Sequence, residues 1–184
     1  MKRLDSVLIG AAFLCLSLLI VALGFRIHQL KTLVDEIRPQ PRVGDWVPPY
    51  PSSTQDGSPI TLGSPQGRFQ VFYFFSPTCA ICQQAEPQVA AIHKRILSSH
   101  EPIEMYGVSA VPADLLHDYA ADGRGAYPLI QLESMKMVSL MQVRSVPTMI
   151  VVDREGIVQW VNTGPIDNTS EQLFAKVLFG NQVH

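Results

Sequence analysis

The chain reads as an α/β protein: a mixed sheet flanked by helices, with one N-terminal transmembrane helix ahead of it. Three features point there. The run Val7 to Phe25 carries no charged residue, and at about 1.5 Å of rise per residue it can just cross a hydrocarbon core of about 30 Å. Beyond residue 43, apolar runs suited to buried strands alternate with stretches whose apolar residues recur every three or four positions; a hairpin and a helix close the series. Finally, the apolar run Phe69 to Phe75 leads through Ser76-Pro77-Thr78 straight into Cys79-Ala80-Ile81-Cys82 and a helical stretch.

The elements follow in order. Residues 1–6 are a short tail and 7–25 the anchor. Lys2 and Arg3 ahead of the span favour a cytoplasmic N-terminus, although Arg26, Lys31 and Arg38 follow it. A cleaved signal peptide ending near Ala22-Leu23-Gly24 is the rival to a retained anchor. Residues 26–42 are a juxtamembrane helix and linker. There Ile27, Leu30, Val34 and Ile37 continue the face of Ile20 and Leu23, a stripe that suits either a stalk or a homodimer through residues 20–37. Pro39, Pro41 and the stretch Pro48 to Ser53 break any helix and lead, as a linker, into a domain at 43–184.

Within that domain, Pro59 to Leu62 is an edge strand after an Asp56-Gly57 turn, and Gln70 to Phe75 is a central strand apolar on both faces. Ala80 to Leu97 is a helix with Ile81, Ala85, Val89, Ile92 and Ile96 at core spacing, kinked by Pro87. Ile103 to Ser109 is a second buried strand, Ala113 to Ala121 a helix, Tyr127 to Gln131 an extended segment and Met135 to Val143 a helix. Thr148 to Asp153 and Ile157 to Val161 form a hairpin about Asp153-Arg154-Glu155-Gly156. Ser170 to Phe179 is the last helix, capped by Asn168-Thr169-Ser170.

Size and charge narrow the function. The 184 residues allow one domain plus an appendage, and a net charge of −2 gives no reason to expect a nucleic-acid partner. Of three cysteines, Cys15 lies in the apolar run and reads as a small hydrophobe. That leaves Cys79 and Cys82. A strand that ends in a turn and restarts as a helix leaves the first helical N–H groups without partners, and their partial positive charge favours a thiolate at Cys79. Cys82 is one helical turn on, so the two sulfurs can meet. Such a pair can attack a foreign disulfide and then resolve the mixed disulfide internally, with no dissociable cofactor. A structural disulfide and half of a zinc site are the alternatives; the five histidines show no paired spacing, so no metal is expected. Met135, Met137 and Met141 are read as inward-packing helix residues rather than soft-metal ligands. Trp46, Tyr50 and Phe75 are aromatic candidates for either a peptide groove or the core.

The segment Val143-Arg144-Ser145-Val146-Pro147-Thr148 stands before a central-looking strand, where a proline cannot donate to the ladder. A cis Val146–Pro147 bond at a tight turn would account for it. Taken with the cysteine pair, these residues resemble the thioredoxin fold, specifically the membrane-anchored TlpA/ResA type, over about residues 43–180. Val43-Gly44 with Val47-Pro48 and Tyr50 resembles that type's opening Gly-x-x-Ala-Pro-x-Phe. Asp56 to Leu62, Glu86-Pro87, Tyr127-Pro128 and Val146-Pro147-Thr148 through Gly156 resemble its later blocks. Ser76-Pro77-Thr78-Cys79 has some similarity to the MauD-type proteins of methylamine dehydrogenase maturation.

The resemblance implies that Cys79 is the nucleophile, Cys82 the resolving thiol and Pro147 a cis proline against them, with Val146, Thr148 and Thr78 at the substrate. It implies a thiol–disulfide oxidoreductase of the bacterial inner membrane, with its domain in the periplasm or an equivalent outer compartment. The partners would be a protein dithiol or disulfide client and an upstream membrane thiol carrier. Apo-cytochromes c or a multi-disulfide subunit such as that of methylamine dehydrogenase are the implied clients. A Cu(I) metallochaperone and a non-enzymatic assembly scaffold are the rival readings. Two departures stand out. Thioredoxin has a buried acid where this chain has Tyr73, a poor base at neutral pH. TlpA/ResA-type proteins often place a Glu at the position of Ala85; here Glu86 comes one residue later, either reaching Cys82 through water for proton transfer or standing solvated at the surface. The apolar dipeptide Ala80-Ile81 adds no cation, so the Cys79 pKa is expected to be only modestly lowered.

Overall fold

The computed structural model describes residues 2–37, 40–132, 138–139 and 141–180. By its internal contacts the chain divides into Met1–Pro39 and Gln40–His184.

The first unit is one unbroken helix, α1 (Lys2–Ile37). Its stretch Phe13–Leu30 is long and apolar enough to cross a membrane, with a mean hydropathy of 1.9 and no residue of it buried. Ile27 and Leu30 of the expected stripe are exposed; the side chains of Val34 and Ile37 lie outside the description.

The second unit contains β1 (Tyr50–Ser53), β2 (Pro59–Leu62), β3 (Phe69–Phe74), α2 (Ala80–Ser98), β4 (Ile103–Ser109), α3 (Ala113–Ala121), β5 (Leu129–Gln131), β6 (Thr148–Asp153), β7 (Val158–Thr163) and α4 (Asn168–Phe179). Five strands form one sheet in the order β5-β4-β3-β6-β7. β4 pairs parallel with both β3 and β5, whereas β6 runs antiparallel to β3 and β7. This is the expected mixed sheet, with β3 at its centre and all six of its residues buried.

Alternation along β3 divides the core. Val71, Tyr73 and Phe75 join Val89 and Ile92 of α2, Leu116 of α3 and Phe174 of α4 on one face. Phe72 and Phe74 join Val47, Leu62, Ile150 and Val152 on the other, with Met141 and Val143. Helices and a strand hairpin thus cover faces that a continuous apolar run alone could not tell apart. Met141 is core as expected; Met135, Met137 and most of the expected helix 135–143 lie outside the described residues.

Four expectations need correction. Ile81, read as a core position of α2, is exposed, and Cys82 takes the buried place beside Ala85. Tyr50–Ser53, read as linker, is a strand paired antiparallel with β2. Pro51 sits in a two-stranded edge, where a missing N–H costs little. The chain ahead of it is already attached, because Gly44 and Val47 donate backbone bonds to Val158 and Gly156 at 2.8 Å each. The cap of the last helix is Asp167, whose carboxylate accepts from Ser170 N–H at 2.7 Å; Asn168 opens the helix proper. Trp46 is 61% exposed and bridges Ile157, at the end of the sheet where Phe69 pairs with Asp153. The cysteines stand at the opposite end, so Trp46 lines no groove with them, and Phe75 is core.

Candidate active site

Register brings the site together. Phe74, last in β3, pairs with Thr148, first in β6. The loop that follows β3 and the turn that precedes β6 therefore leave the same edge of the sheet. One carries Cys79, the other the Val146–Pro147 peptide bond, which is cis.

Cys79 is the N-cap of α2 in extended conformation (φ −81°, ψ 116°), and its sulfur accepts from Cys82 N–H at 3.4 Å. A sulfur here takes the place that a Ser or Asp oxygen usually fills, meeting the unpaired N–H groups and the positive end of the helix. The same Sγ donates to the Val146 carbonyl at 3.8 Å. Both sulfurs are free; Cys79 is half-buried and Cys82 buried. Burial disfavours the Cys79 thiolate, but bonds from the Cys82 thiol and from the Cys82 and Ile81 N–H groups outweigh it, so the pKa lies below the ordinary thiol value. Burial first, then the adjacent Cys79, push Cys82 up to about 12. The first thiol is poised to ionise, and the second stays protonated.

The other expected site residues separate. Pro147 is buried, and its carbonyl accepts from Gly164 N–H at 2.8 Å. Thr78 is exposed beside Cys79, its hydroxyl 3.0 Å from that of Ser76. Thr148 is buried, and its hydroxyl donates to the Ser145 carbonyl at 2.8 Å; its side chain braces the turn and presents nothing to a client. A crevice of about 260 Å³ opens alongside, lined by Phe75, Ser76, Val111, Ser145 and Val146 among others.

The model of the AhpC/TSA family matches residues 43–161. The chain belongs to the AhpC/TSA family. Among curated relatives of this family member is the methylamine utilization protein MauD of Methylophilus methylotrophus, 30% identical over 83% of this chain and 72% of the relative. The MauD of Methylobacillus flagellatus is 27% identical over 84% and 76%. Among solved structures, a putative thiol:disulfide interchange protein DsbE from Chlorobium tepidum superposes with a TM-score of 0.63 at 19% identity, covering 76% of this chain and 99% of that one. StoA from Bacillus subtilis does so with 0.59 at 17% identity, over 69% and 94%. The structural likenesses give the thioredoxin-like fold. With the family, they place the chain in the enzyme class of the thiol–disulfide oxidoreductases.

In this AhpC/TSA member, Glu86 does not stand free at the surface: it is half-buried and held by three partners. Its Oε2 accepts from the hydroxyls of Tyr119 at 2.5 Å and Tyr127 at 2.8 Å, and its Oε1 from Gly125 N–H at 3.0 Å. Burial and the Glu86 charge raise both phenols well above the usual tyrosine value. Tyr73 is buried too, stacked on Phe75 at 5.5 Å with its edge relation to Tyr127 at 5.9 Å. Tyr119 escaped the sequence reading, and Tyr127 entered it only through the Tyr127-Pro128 block, with no role. A signal for Tyr127 was Gly107 within β4: a Cβ there would lie 2.4 Å from Cε2 of Tyr127, and a glycine inside a strand marks such a close approach.

Proposed function

We propose that the chain is a membrane-tethered reductant that exchanges dithiol for disulfide with client proteins through Cys79 and Cys82. One observation carries this reading: the Cys79 sulfur caps α2 while touching the Val146 carbonyl of the turn at Pro147. An extended client segment laid against Val146 would bring its own disulfide over that sulfur. The Cys79 thiolate attacks one client sulfur, and the other leaves with the electron pair. Cys82 then attacks Cys79, closing the Cys79–Cys82 bond and releasing the client as a dithiol. The redox group is the cysteine pair alone.

Phe13–Leu30 supports tethering, and Lys2 and Arg3 ahead of it favour a domain of residues 43–184 on the periplasmic face of a bacterial inner membrane. There the spent disulfide needs an upstream membrane thiol carrier to reduce it. The MauD relatives point to clients of the methylamine dehydrogenase type, and apo-cytochromes c share the same chemistry. The stripe Ile20 to Ile37 would pair two copies.

The test is a Cys82→Ser protein expressed in its native host, with and without Cys79→Ser. Mixed disulfides that need Cys79 and contain an exported multi-cysteine protein support the reading. Their absence overturns it, and a wild-type pair found fully oxidised at steady state overturns the reductant direction.

A further inference from the structure

The resolving thiol presents a problem that the exchange cycle alone leaves open. Cys82 is 3% exposed, and it must become a thiolate to attack Cys79. Burial is the main obstacle to that charge. The position at which thioredoxin keeps an acid holds a phenol, and the carboxylate one turn along the same helix, Glu86, is occupied by two tyrosines and an amide.

One group under Cys82 is unsatisfied. Among the described residues, the Tyr73 hydroxyl is the buried side-chain oxygen with no hydrogen-bond partner. Tyr73 and Cys82 belong to the same buried cluster on this face of the sheet, and the phenol there favours the Cys82 thiolate. A buried donor without an acceptor costs free energy while Cys82 is a thiol, since a thiol sulfur accepts weakly. The cost disappears when the sulfur turns anionic. A contact that improves only as charge develops lowers a barrier without stabilising the resting state. The phenol cannot act as the base: burial and the charges of Cys82 and Glu86 raise its pKa well above the usual tyrosine value, so it keeps its proton as a donor.

We propose that Tyr73 is a catalytic residue of the resolution step, its hydroxyl donating to the Cys82 sulfur as that sulfur becomes a thiolate and attacks Cys79. In this step the Cys82 S–H bond breaks and its proton passes to water. The Cys79–Cys82 bond forms, the bond from Cys79 to the client breaks, and the departing client thiolate takes a proton back from water. The client is reduced by two electrons and the pair is oxidised by two.

The surrounding cluster positions the hydroxyl. The Tyr73 ring is clamped between the Phe75 stack and the Tyr127 edge, and Tyr127 is itself pinned by Glu86. Cys82 and Glu86 stand one turn apart on α2, so the helix that carries the reacting thiol also carries the anchor of the tyrosine wall. Tyr127 and Glu86 are thus positioning residues.

The inference rests on the exchange reading above, and the experiment separates the two. The full chain, in mild detergent and carrying Cys15→Ser, is reduced and mixed with 5,5′-dithiobis(2-nitrobenzoate). A first release of thionitrobenzoate reports attack by Cys79, and a second reports resolution by Cys82. Tyr73→Phe keeps the ring and removes the hydroxyl. The second release should slow by about tenfold, the loss expected of one hydrogen bond to a charged group, and its pH–rate profile should move to higher pH. The first release should keep its rate and pH dependence. The melting temperature of the reduced protein should hold or rise, because an orphaned donor has been removed. A second release at the wild-type rate and pH dependence overturns the proposal, as does a fall in reduced-state stability that accounts for the slowing. Failure of the wild-type protein to give any second release overturns the exchange reading instead.

Discussion

Gly107→Ala should injure the site from the neighbouring strand of the sheet, on the face that carries Tyr73. Gly107 lies in β4 directly beside Tyr73 of β3. The added methyl would sit 2.4 Å from Cε2 and 2.8 Å from Cδ2 of Tyr127. Carbon atoms settle near about 3.5–4.0 Å, so the ring has to retreat by roughly 1 Å. Its hydroxyl holds Glu86 and its edge holds Tyr73, and neither bond survives such a shift unchanged. Overpacking of this kind costs about 1–3 kcal/mol, while replacing a strand glycine returns about 0.5–1 kcal/mol of backbone entropy. The net loss is at most about 2.5 kcal/mol and centres on about 1 kcal/mol, or a melting temperature lower by about 2–4 °C at that centre for a domain of this size. The assay is thermal and urea unfolding of the full chain in mild detergent, followed by near-ultraviolet circular dichroism, with and without Tyr127→Val. That second change removes two of the three close carbons and leaves Cδ2 of Leu129 at 2.9 Å, the far end of a flexible side chain, so in its presence most of the cost of Gly107→Ala should vanish. An equal cost in both backgrounds would refute the reasoning.

Two further outcomes follow from the same physics. The folded-state pKa of Cys82 lies above the ordinary 9.0, at about 12, so the folded reduced protein holds a proton that the unfolded chain gives up. Its stability should therefore fall as pH climbs from about 9 to about 12. Cys79 has the opposite sign: its lowered pKa adds stability as pH rises toward 9.0, where the gain is complete. The oxidised protein lacks both thiols, and the reduced-minus-oxidised melting difference measured from pH 7 to 11 should rise and then fall; a flat difference would contradict both shifts. Gln70→Leu should be severe, because the fully buried amide accepts from Gly63 N–H at 2.8 Å and donates to Glu104 at 2.9 Å. Leaving the buried Gly63 N–H unsatisfied costs about 1–3 kcal/mol, which urea unfolding would detect, whereas Glu104 keeps Gln66, Gly67 and Tyr106 as donors; a loss below about 1 kcal/mol would show that water replaces the amide.

Local features were legible before any coordinates. The uncharged run at the N-terminus, the central strand, the helix that opens at the cysteines and the hairpin about Gly156 depend on residues close in sequence, where periodicity and turn chemistry act. Strand ends shifted by a residue or two, and Asp167 in place of Asn168 as the cap is an error of that size. Tyr50–Ser53 failed for a different reason: a short edge strand rich in proline and serine draws its pairing from β2, and its own pattern does not announce it.

The surroundings of Cys82 were beyond such reading. Tyr73, Glu86, Tyr119 and Tyr127 come from a strand, two helices and a loop, and only the stacking of α2 and α3 on one face of the sheet brings them together. Sequence gave Tyr73 as a missing base and Glu86 as a carboxylate one position astray. Burial, which depends on every element at once, made the phenol a donor without a partner and gave the carboxylate to two tyrosines. Hydrogen-bond geometry of that kind is a property of the packed core, where the low dielectric sets which proton can move, and no local pattern encodes it.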